Sequence, residues 1–315
     1  MAEGGQRAAG LPEAIGRFRI RELIGHGGNA IIYSAWDEQQ HRQVAIKLLR
    51  DDRSSRPDTQ ARFLREAKAM ARLDHPNVIR IYEVGTHEGK AFLALEYVQG
   101  RTLREWLEAE QPELAQIVAR YVEAGRGLAA AHRAGLMHRD FKPDNAVLGD
   151  DGRVRVVDFG LARSTRDTDS FKTIENQTPG LRDALAEGPE LLSTIGLSGT
   201  PAYMSLEQHF GRRTDPRADQ FSFCVALWEA LFGERPFEGR TAGQIARRIE
   251  AGQLQQPRGP RASTVPRRLR KALERGLAAE SADRWPTMGE LLDEIEAAIN
   301  PSLFARLLDV ITSKR

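Results

Sequence analysis

Between Leu136 and Gly160 the chain reads LMHRDFKPDNAVLGDDGRVRVVDFG, which concentrates oxygen ligands around a single turn. Val147-Leu148 and Val154 to Val157 are β-rich runs, and Gly149-Asp150-Asp151-Gly152 between them is strong turn chemistry. A hairpin there folds the chain back so that Asp158 returns beside Asn145. The carboxylate of Asp140 lies a few residues upstream. Two converging oxygens and a third nearby suit a hard cation carrying a phosphate, because Mg²⁺ takes few protein oxygens and fills its shell from substrate and water.

Two further stretches could contribute. Gly25-His26-Gly27-Gly28-Asn29 joins two strand patterns. Such a turn either lets backbone N–H groups approach phosphate oxygens or is simply a tight hairpin. No helix follows it, which argues against a dinucleotide fingerprint or a Walker loop. Lys47 stands in the apolar strand Val44-Ala45-Ile46-Lys47, and a lysine there acts chemically only with a partner. Glu66 lies beside the apolar stripe Phe63, Leu64, Ala67 and Met70 of the next helix, where a carboxylate needs pairing.

The elements that must position these groups fall into two parts. Residues 1 to about 15 are Gly/Ala-rich and polar and are expected to be disordered. Strands are expected at Phe18 to Ile24, Ala30 to Trp36, Gln43 to Leu49, Ile79 to Val84 and Ala91 to Tyr97, with a helix over Thr59 to Leu73. Val98-Gln99-Gly100 is the expected crossing into a helical remainder. There Thr102 and Glu105 have capping-box spacing, and a long amphipathic helix runs over Pro112 to Ala134. Pro216 to Phe232 is apolar on most sides and so reads as a buried central pillar. Asp219 near its N-terminus suits the helix dipole and could accept backbone N–H groups from a loop. Three helices follow, about Thr241 to Ala251, Pro266 to Ala278 and Pro286 to Ile299. Pro301 to Arg315 is either a last amphipathic helix or the start of a further region.

Composition narrows the function classes. The chain has 315 residues, 41% hydrophobic and 29% charged, as soluble globular proteins do. A formal net charge of +2 argues for neither nucleic acid nor an anionic membrane as partner. Cys224 is the only cysteine, so no intramolecular disulfide or zinc cluster is expected. No stretch approaches the roughly 20 apolar residues of a membrane helix, and the first residues lack the apolar core of a secretory signal. A cytoplasmic setting is expected.

In order, GHGGNAIIY, VAIK, HRDFKPDN, DFG and SGTPAYMSLE resemble the signature set of the eukaryotic-like (Hanks-type) serine/threonine protein kinases, most closely those of bacteria. The resemblance covers roughly residues 18 to 299. It implies an α+β, bilobal fold: a small lobe over 16–98, with a five-stranded antiparallel sheet and one helix, then a mainly helical lobe over 99–300. An activation segment spans 158–207, and 301–315 is left as a tail. The implied substrates are ATP, used with Mg²⁺ or alternatively Mn²⁺, and proteins bearing serine or threonine. Self-association for autophosphorylation in trans is a further implied partner.

Roles follow residue by residue from the same resemblance. Lys47, oriented by Glu66, would hold the α- and β-phosphates. Asn145 and Asp158 would bind the metal, and Asp140 would accept the substrate proton. Lys142 marks serine/threonine specificity and would lie near the transferred phosphate. Backbone from Gly25 through His26, Gly27 and Gly28 to Asn29 would cover the phosphates. Ile32, Ala45 and Val147 would hold adenine, whose edge would meet Glu96, Tyr97 and Val98, with Leu95 guarding the inner pocket. His138 would be structural, beside Phe159, and Thr200 would bridge Asp140 and Lys142. Glu207 and Arg284 would form a buried ion pair. Arg139 precedes the catalytic aspartate, which implies a regulatory phosphate, with Thr194 and Ser198 as candidates.

Three positions depart from the pattern. Ala30 replaces the loop's third glycine, and Ser205-Leu206-Glu207 replaces Ala-Pro-Glu, which is expected to loosen the substrate platform. The third is length, since 39 residues separate Gly160 from Thr200. Leucines and isoleucines from Leu181 to Leu197 leave two readings of this insert, an autoinhibitory or partner-docking element released by phosphorylation, or disorder. A pseudokinase acting as a binding module would be expected to lack Lys47, Asp140, Asn145 or Asp158, and all four are present. A small-molecule phosphotransferase such as an antibiotic kinase lacks the Lys142 pattern and the SGTPAYMSLE segment.

Overall fold

The structure, a computed structural model, describes residues 11–26, 30–50, 57–160, 201–258 and 261–299. The chain divides between Gln99 and Gly100 into two units.

Among the described residues the first unit is a six-stranded sheet. Its strands are β1 (Ala14–Ile15), β2 (Phe18–His26), β3 (Ala30–Asp37), β4 (Arg42–Leu49), β5 (Ile81–His87) and β6 (Lys90–Glu96), in spatial order β1-β2-β3-β4-β6-β5. Every pairing is antiparallel. Helix α1 (Pro57–Met70) is inserted between β4 and β5, with Phe63, Ala67 and Met70 buried.

The expectation of five strands is corrected here, as is that of disorder for residues 11–15; residues 1–10 lie outside the described residues. Ala14 and Ile15 pair with Arg19 and Phe18 across a two-residue turn, in which Gly16 has φ +58°. Ile15 is completely buried in the cluster of Phe18, Ile20, Tyr33, Ala35, Val44, Ile46, Phe92 and Ala94. Burying an isoleucine is worth about 1.5–3 kcal/mol, and Leu11 packing on the same cluster and the Glu13 carbonyl accepting from Ile20 N at 3.1 Å add to the hold on the segment.

Strand alternation divides this sheet chemically. Tyr33, Ala35, Val44, Ile46, Phe92 and Ala94 face that apolar cluster. The intervening residues pair as Gly25 with Ile32, Ile32 with Lys47, Ser34 with Ala45 and Ala45 with Leu95, so all of them lie on the opposite face.

The second unit is mainly helical. A short strand β7 (Gly100–Thr102) leads into α2 (Leu103–Glu110) and α3 (Leu114–Arg133). The hairpin of β8 (Ala146–Gly149) and β9 (Val154–Val156) follows, with β7 as its third strand. Gly100 is a strand residue, and its lack of a side chain is required: a Cβ there would run into the Leu148 carbonyl. Thr102 caps α2 through the expected box, its Oγ1 accepting from Glu105 N at 3.2 Å while Glu105 Oε2 accepts from Thr102 N at 2.8 Å.

The remaining helices are α4 (Leu206–His209), α5 (Arg217–Phe232), α6 (Ala242–Glu250), α7 (Arg267–Gly276) and α8 (Met288–Ile299). All residues of α5 except Arg217 and Glu229 are buried, as its continuous apolar surface implied. Gly233 ends it in the left-handed conformation, φ +74°.

Candidate active site

Within the second unit, hydrogen bonds draw three of the expected residues into one neighbourhood. The β8–β9 hairpin closes through Gly149 N to Arg153 O at 2.9 Å. It returns the chain so that Val157 N donates to the Asn145 carbonyl, also at 2.9 Å, one residue before Asp158. Gly160 N then donates to the His138 carbonyl at 2.9 Å, laying Asp-Phe-Gly along His-Arg-Asp. Asn145 Nδ2 donates to the Asp140 carbonyl at 2.7 Å. With its amide nitrogen spent inward, Asn145 keeps Oδ1 as an acceptor.

Two residues of this neighbourhood take left-handed backbone, Arg139 at φ +65° and Asp158 at φ +58°. Each such non-glycine residue costs about 1–3 kcal/mol and persists where its surroundings over-determine it. The surroundings of Arg139 are visible. Asp219, fully buried on α5, accepts from His138 N at 2.7 Å and Arg139 N at 2.6 Å, and contacts His132 Nε2 at 2.8 Å. Burial pushes the Asp219 carboxyl up, but the bonds from His132 and the loop outweigh it and hold the group below the usual carboxylate range. A buried anion on the central helix thus grips the backbone of His138 and Arg139.

His138 has no nitrogen left for chemistry. Its Nε2 lies 2.8 Å from the Val157 carbonyl, so it carries the proton, and Nδ1 accepts from Asp140 N at 3.2 Å. Burial lowers its pKa further. The ring packs on Phe159 at 4.8 Å between centroids. A neutral, fully bonded imidazole is a strut.

The stretch after residue 200 is tied to the same loop. Leu206 is buried where a proline was missing, and Gln208 Oε1 accepts from Ser205 N at 3.1 Å. Gln208 Nε2 donates to the Arg139 carbonyl at 2.9 Å. Gln208 thus bonds both Ser205 and the Arg139 backbone, a polar clasp at the place where the motif departs from Ala-Pro-Glu. Arg284, fully buried, grips Glu207 through two bonds of 2.7 and 2.9 Å.

Sequence reasoning passed over one group of residues. Asp144, between Pro143 and Asn145, accepts a two-pronged bond from Arg104 on α2, at 3.0 Å from both Nε and Nη2. Arg104 Nη2 also donates to Tyr203 Oη at 2.7 Å, and Tyr203 Oη bonds Glu229 on α5. The only local hint was a carboxylate beside Asn145, since its partner lies 40 positions away.

Other expected residues are placed individually. In the first unit, Ile32, Lys47 and Leu95 are half-buried and Ala45 is buried on the sheet face opposite the apolar cluster. Gly25 and His26 end β2, and Glu66 is half-buried on α1. Glu96 ends β6, with half-buried Tyr97 and Val98 after it. In the second unit, Lys142 precedes the Pro143–Asn145 turn, and Val147 is half-buried on β8. Gly27, Gly28, Asn29, Thr194, Ser198, Thr200, the insert and the 301–315 tail lie outside the described residues.

Asn145 and Asp158 fit a magnesium site by the chemistry of their donors. Among the described residues no group of three or more His, Cys, Asp or Glu could hold a metal. A pair made of one amide oxygen and one carboxylate is what an ion sharing its shell with phosphate oxygens requires.

Comparison with known proteins identifies the family. A family model described as protein kinase domain matches residues 18–294. The chain is 31% identical to the serine/threonine-protein kinase PrkC of Bacillus subtilis, over 90% of this chain and 41% of that protein. It is 33% identical to the serine/threonine-protein kinase PknB of Mycobacterium tuberculosis, over 73% of this chain and 34% of that one. The chain thus spans less than half the length of these curated relatives. Among solved structures, the kinase domain of Mycobacterium tuberculosis PknI superimposes with a TM-score of 0.67 at 22% identity, covering 93% of this chain and all of that one. That likeness is one of fold. Among the described residues, no helix is long and apolar enough to cross a membrane.

Proposed function

The chain belongs to the protein kinase domain family, and on that premise we propose that it transfers the γ-phosphoryl group of ATP to serine or threonine hydroxyls of protein substrates. The observation that carries the reading is the Asn145 amide, which is turned by its bond to the Asp140 carbonyl so that Oδ1 is left as an acceptor.

Phosphoryl transfer demands positioning and charge stabilisation rather than covalent chemistry from the protein. Asp140 orients the substrate hydroxyl and accepts its proton. Lys142 stands near the transferred group and offsets its negative charge. Lys47, oriented by Glu66, holds the α- and β-phosphates, and the Gly25–Asn29 backbone covers them. Ile32, Ala45 and Val147 take the adenine ring, while the backbone from Glu96 to Val98 meets its polar edge beside Leu95. Asn145 and Asp158 hold Mg²⁺, with Mn²⁺ as the alternative ion. When bound, the ion neutralises charge on the phosphate oxygens. Thr200 bridges Asp140 and Lys142. Thr194 and Ser198 are sites of autophosphorylation, which self-association in trans would serve, and the 39-residue stretch before Thr200 governs when the chemistry runs.

The test is incubation of the purified protein with labelled ATP and Mg²⁺, beside Lys47→Met and Asp158→Asn variants. The expected result is label on serine or threonine in the unaltered protein and a loss of at least about 100-fold in both variants. Equal incorporation in all three overturns the reading. Mass-spectrometric mapping of the product decides Thr194 and Ser198, and deletion of Thr168 to Glu190 tests the insert, since unchanged basal activity and activation would remove its regulatory role.

A further inference from the structure

Arg104 is rigidly presented. Its helix is capped by Thr102 and Glu105 and anchored by buried Leu103 and Trp106. Its guanidinium has several simultaneous partners: both oxygens of Asp144 at 3.0 Å, Tyr203 Oη at 2.7 Å, and Glu229 at 3.8 Å. The far ends of this network are fixed as well. Glu229 belongs to α5, and Ser222 Oγ of the same helix donates to the Tyr203 carbonyl at 2.8 Å. An isolated surface ion pair is worth about 0–1 kcal/mol. A planar fork that meets a carboxylate through two bonds and a phenol through a third fixes direction as well as distance.

The position of Asp144 gives the network its consequence. Asp144 is the middle residue of the turn Pro143–Asn145, whose last residue is the proposed metal ligand. Tyr203 ends the turn Pro201–Tyr203, directly after the stretch that closes at Thr200. One guanidinium therefore touches the turn that presents Asn145 and a turn near the end of the expected activation segment.

We propose that Arg104 is a positioning residue which, through Asp144, holds Asn145 in its metal-binding register and couples that register to the placement of Tyr203. Arg104 does not touch the reacting atoms. It acts through the Asp144 carboxylate, whose two oxygens it holds at 3.0 Å from Nε and Nη2. The proposal rests on the phosphoryl-transfer reading above, and its test carries a readout that needs no turnover.

The experiment compares the full chain with Arg104→Gln, Asp144→Asn, the double variant and Tyr203→Phe. Amide exchange reads the clamp directly, since Val157 N donates to the Asn145 carbonyl and Asn145 N to the Lys142 carbonyl. In Arg104→Gln, protection at these two amides is expected to fall about tenfold while the amides of α5 keep theirs. The Mg²⁺ concentration for half-maximal phosphoryl transfer is expected to rise about 10-fold or more, as when partners behind metal ligands are removed. The double variant should be no worse than the worse single one, because both cut the same link. Tyr203→Phe should give a smaller shift in the same direction. Unchanged protection at Val157 and Asn145 overturns the proposal, as do an unaltered Mg²⁺ requirement in an active protein and additive single effects. If the unaltered protein transfers no phosphate, the functional reading fails and amide exchange still decides the clamp. If Arg104→Gln does not fold, Arg104→Lys keeps the charge without the fork and is read by the same two measurements.

Discussion

In the first unit Ile32, Ala45, Lys47 and Leu95 share a sheet face because strand alternation puts them there. In the second, Asp140, Asn145 and Asp158 are gathered by bonds that run between loops and to a buried anion on α5. Among the described residues each unit also buries one carboxylate completely, and the two are used differently. Asp37 closes the β3–β4 turn, accepting from Gln39 N and Gln40 N at 3.1 and 3.2 Å and from Arg17 at 3.2 Å. Asp219 reaches across 80 positions of sequence to hold a loop with a left-handed residue in it. A face set by periodicity survives the loss of any one side chain. A loop whose successive amides His138 N and Arg139 N both depend on one buried anion is less tolerant, and the second unit's loop should be the more fragile.

The widest gap is expected between the two carboxylates. Asp219→Ala leaves His138 N, Arg139 N and His132 without their acceptor and should lower unfolding stability by about 3–5 kcal/mol. Phosphoryl transfer should fall by more than the loss of folded protein explains. Urea unfolding and activity measured on the same samples check both, and activity that merely tracks the folded fraction would remove the distinction.

A pH titration sharpens the contrast without mutation. His209, buried in the second unit, has its pKa pushed down to about 4, mainly by burial. From pH 6.5 down to about 4 the unfolded chain binds a proton that the folded one refuses. Stability contributed by the neutral ring is thus present above pH 6.5 and is lost by about 3 kcal/mol across that window. His138 is shifted the same way and adds to the slope. His209→Gln should flatten urea midpoints between pH 6.5 and 4, and an unchanged slope refutes the assignment.

Asp37→Ala should cost less, about 1–3 kcal/mol, because its main partner Arg17 is part-exposed and can turn to water. Activity per folded molecule should be unchanged. The smallest effect is expected on the sheet face, where Ile32→Val should cost about 0.5 kcal/mol in thermal unfolding and raise the KM for ATP by no more than about tenfold. A collapse of the fold on this change would show that the face is not the tolerant surface the alternation implies.

Much of this was legible before folding was considered. The β8–β9 hairpin follows from its Gly-Asp-Asp-Gly turn, the pillar α5 from its unbroken apolar surface, and the α2 cap from Thr102 and Glu105. The ordered motifs identified the family, because the residue types at those spacings have few other uses. Even the grip of Asp219 on a loop could be anticipated from a carboxylate in the first turn of a buried helix. The pair Glu207–Arg284, in contrast, was visible only through resemblance, since nothing near either residue points to the other across 77 positions.

Local physics acts over a few residues: alternation, turn chemistry and caps are properties of neighbours, so the amino-acid order alone determined them. Tertiary packing decided which distant groups meet. The recruitment of Ile15 required a pocket built by β2, β3, β4 and β6. The Arg104–Asp144–Tyr203–Glu229 network required four segments to arrive together, with directions no periodicity encodes. The motif residues are written in the chain, while the side chains that hold their backbone in place are chosen by the fold.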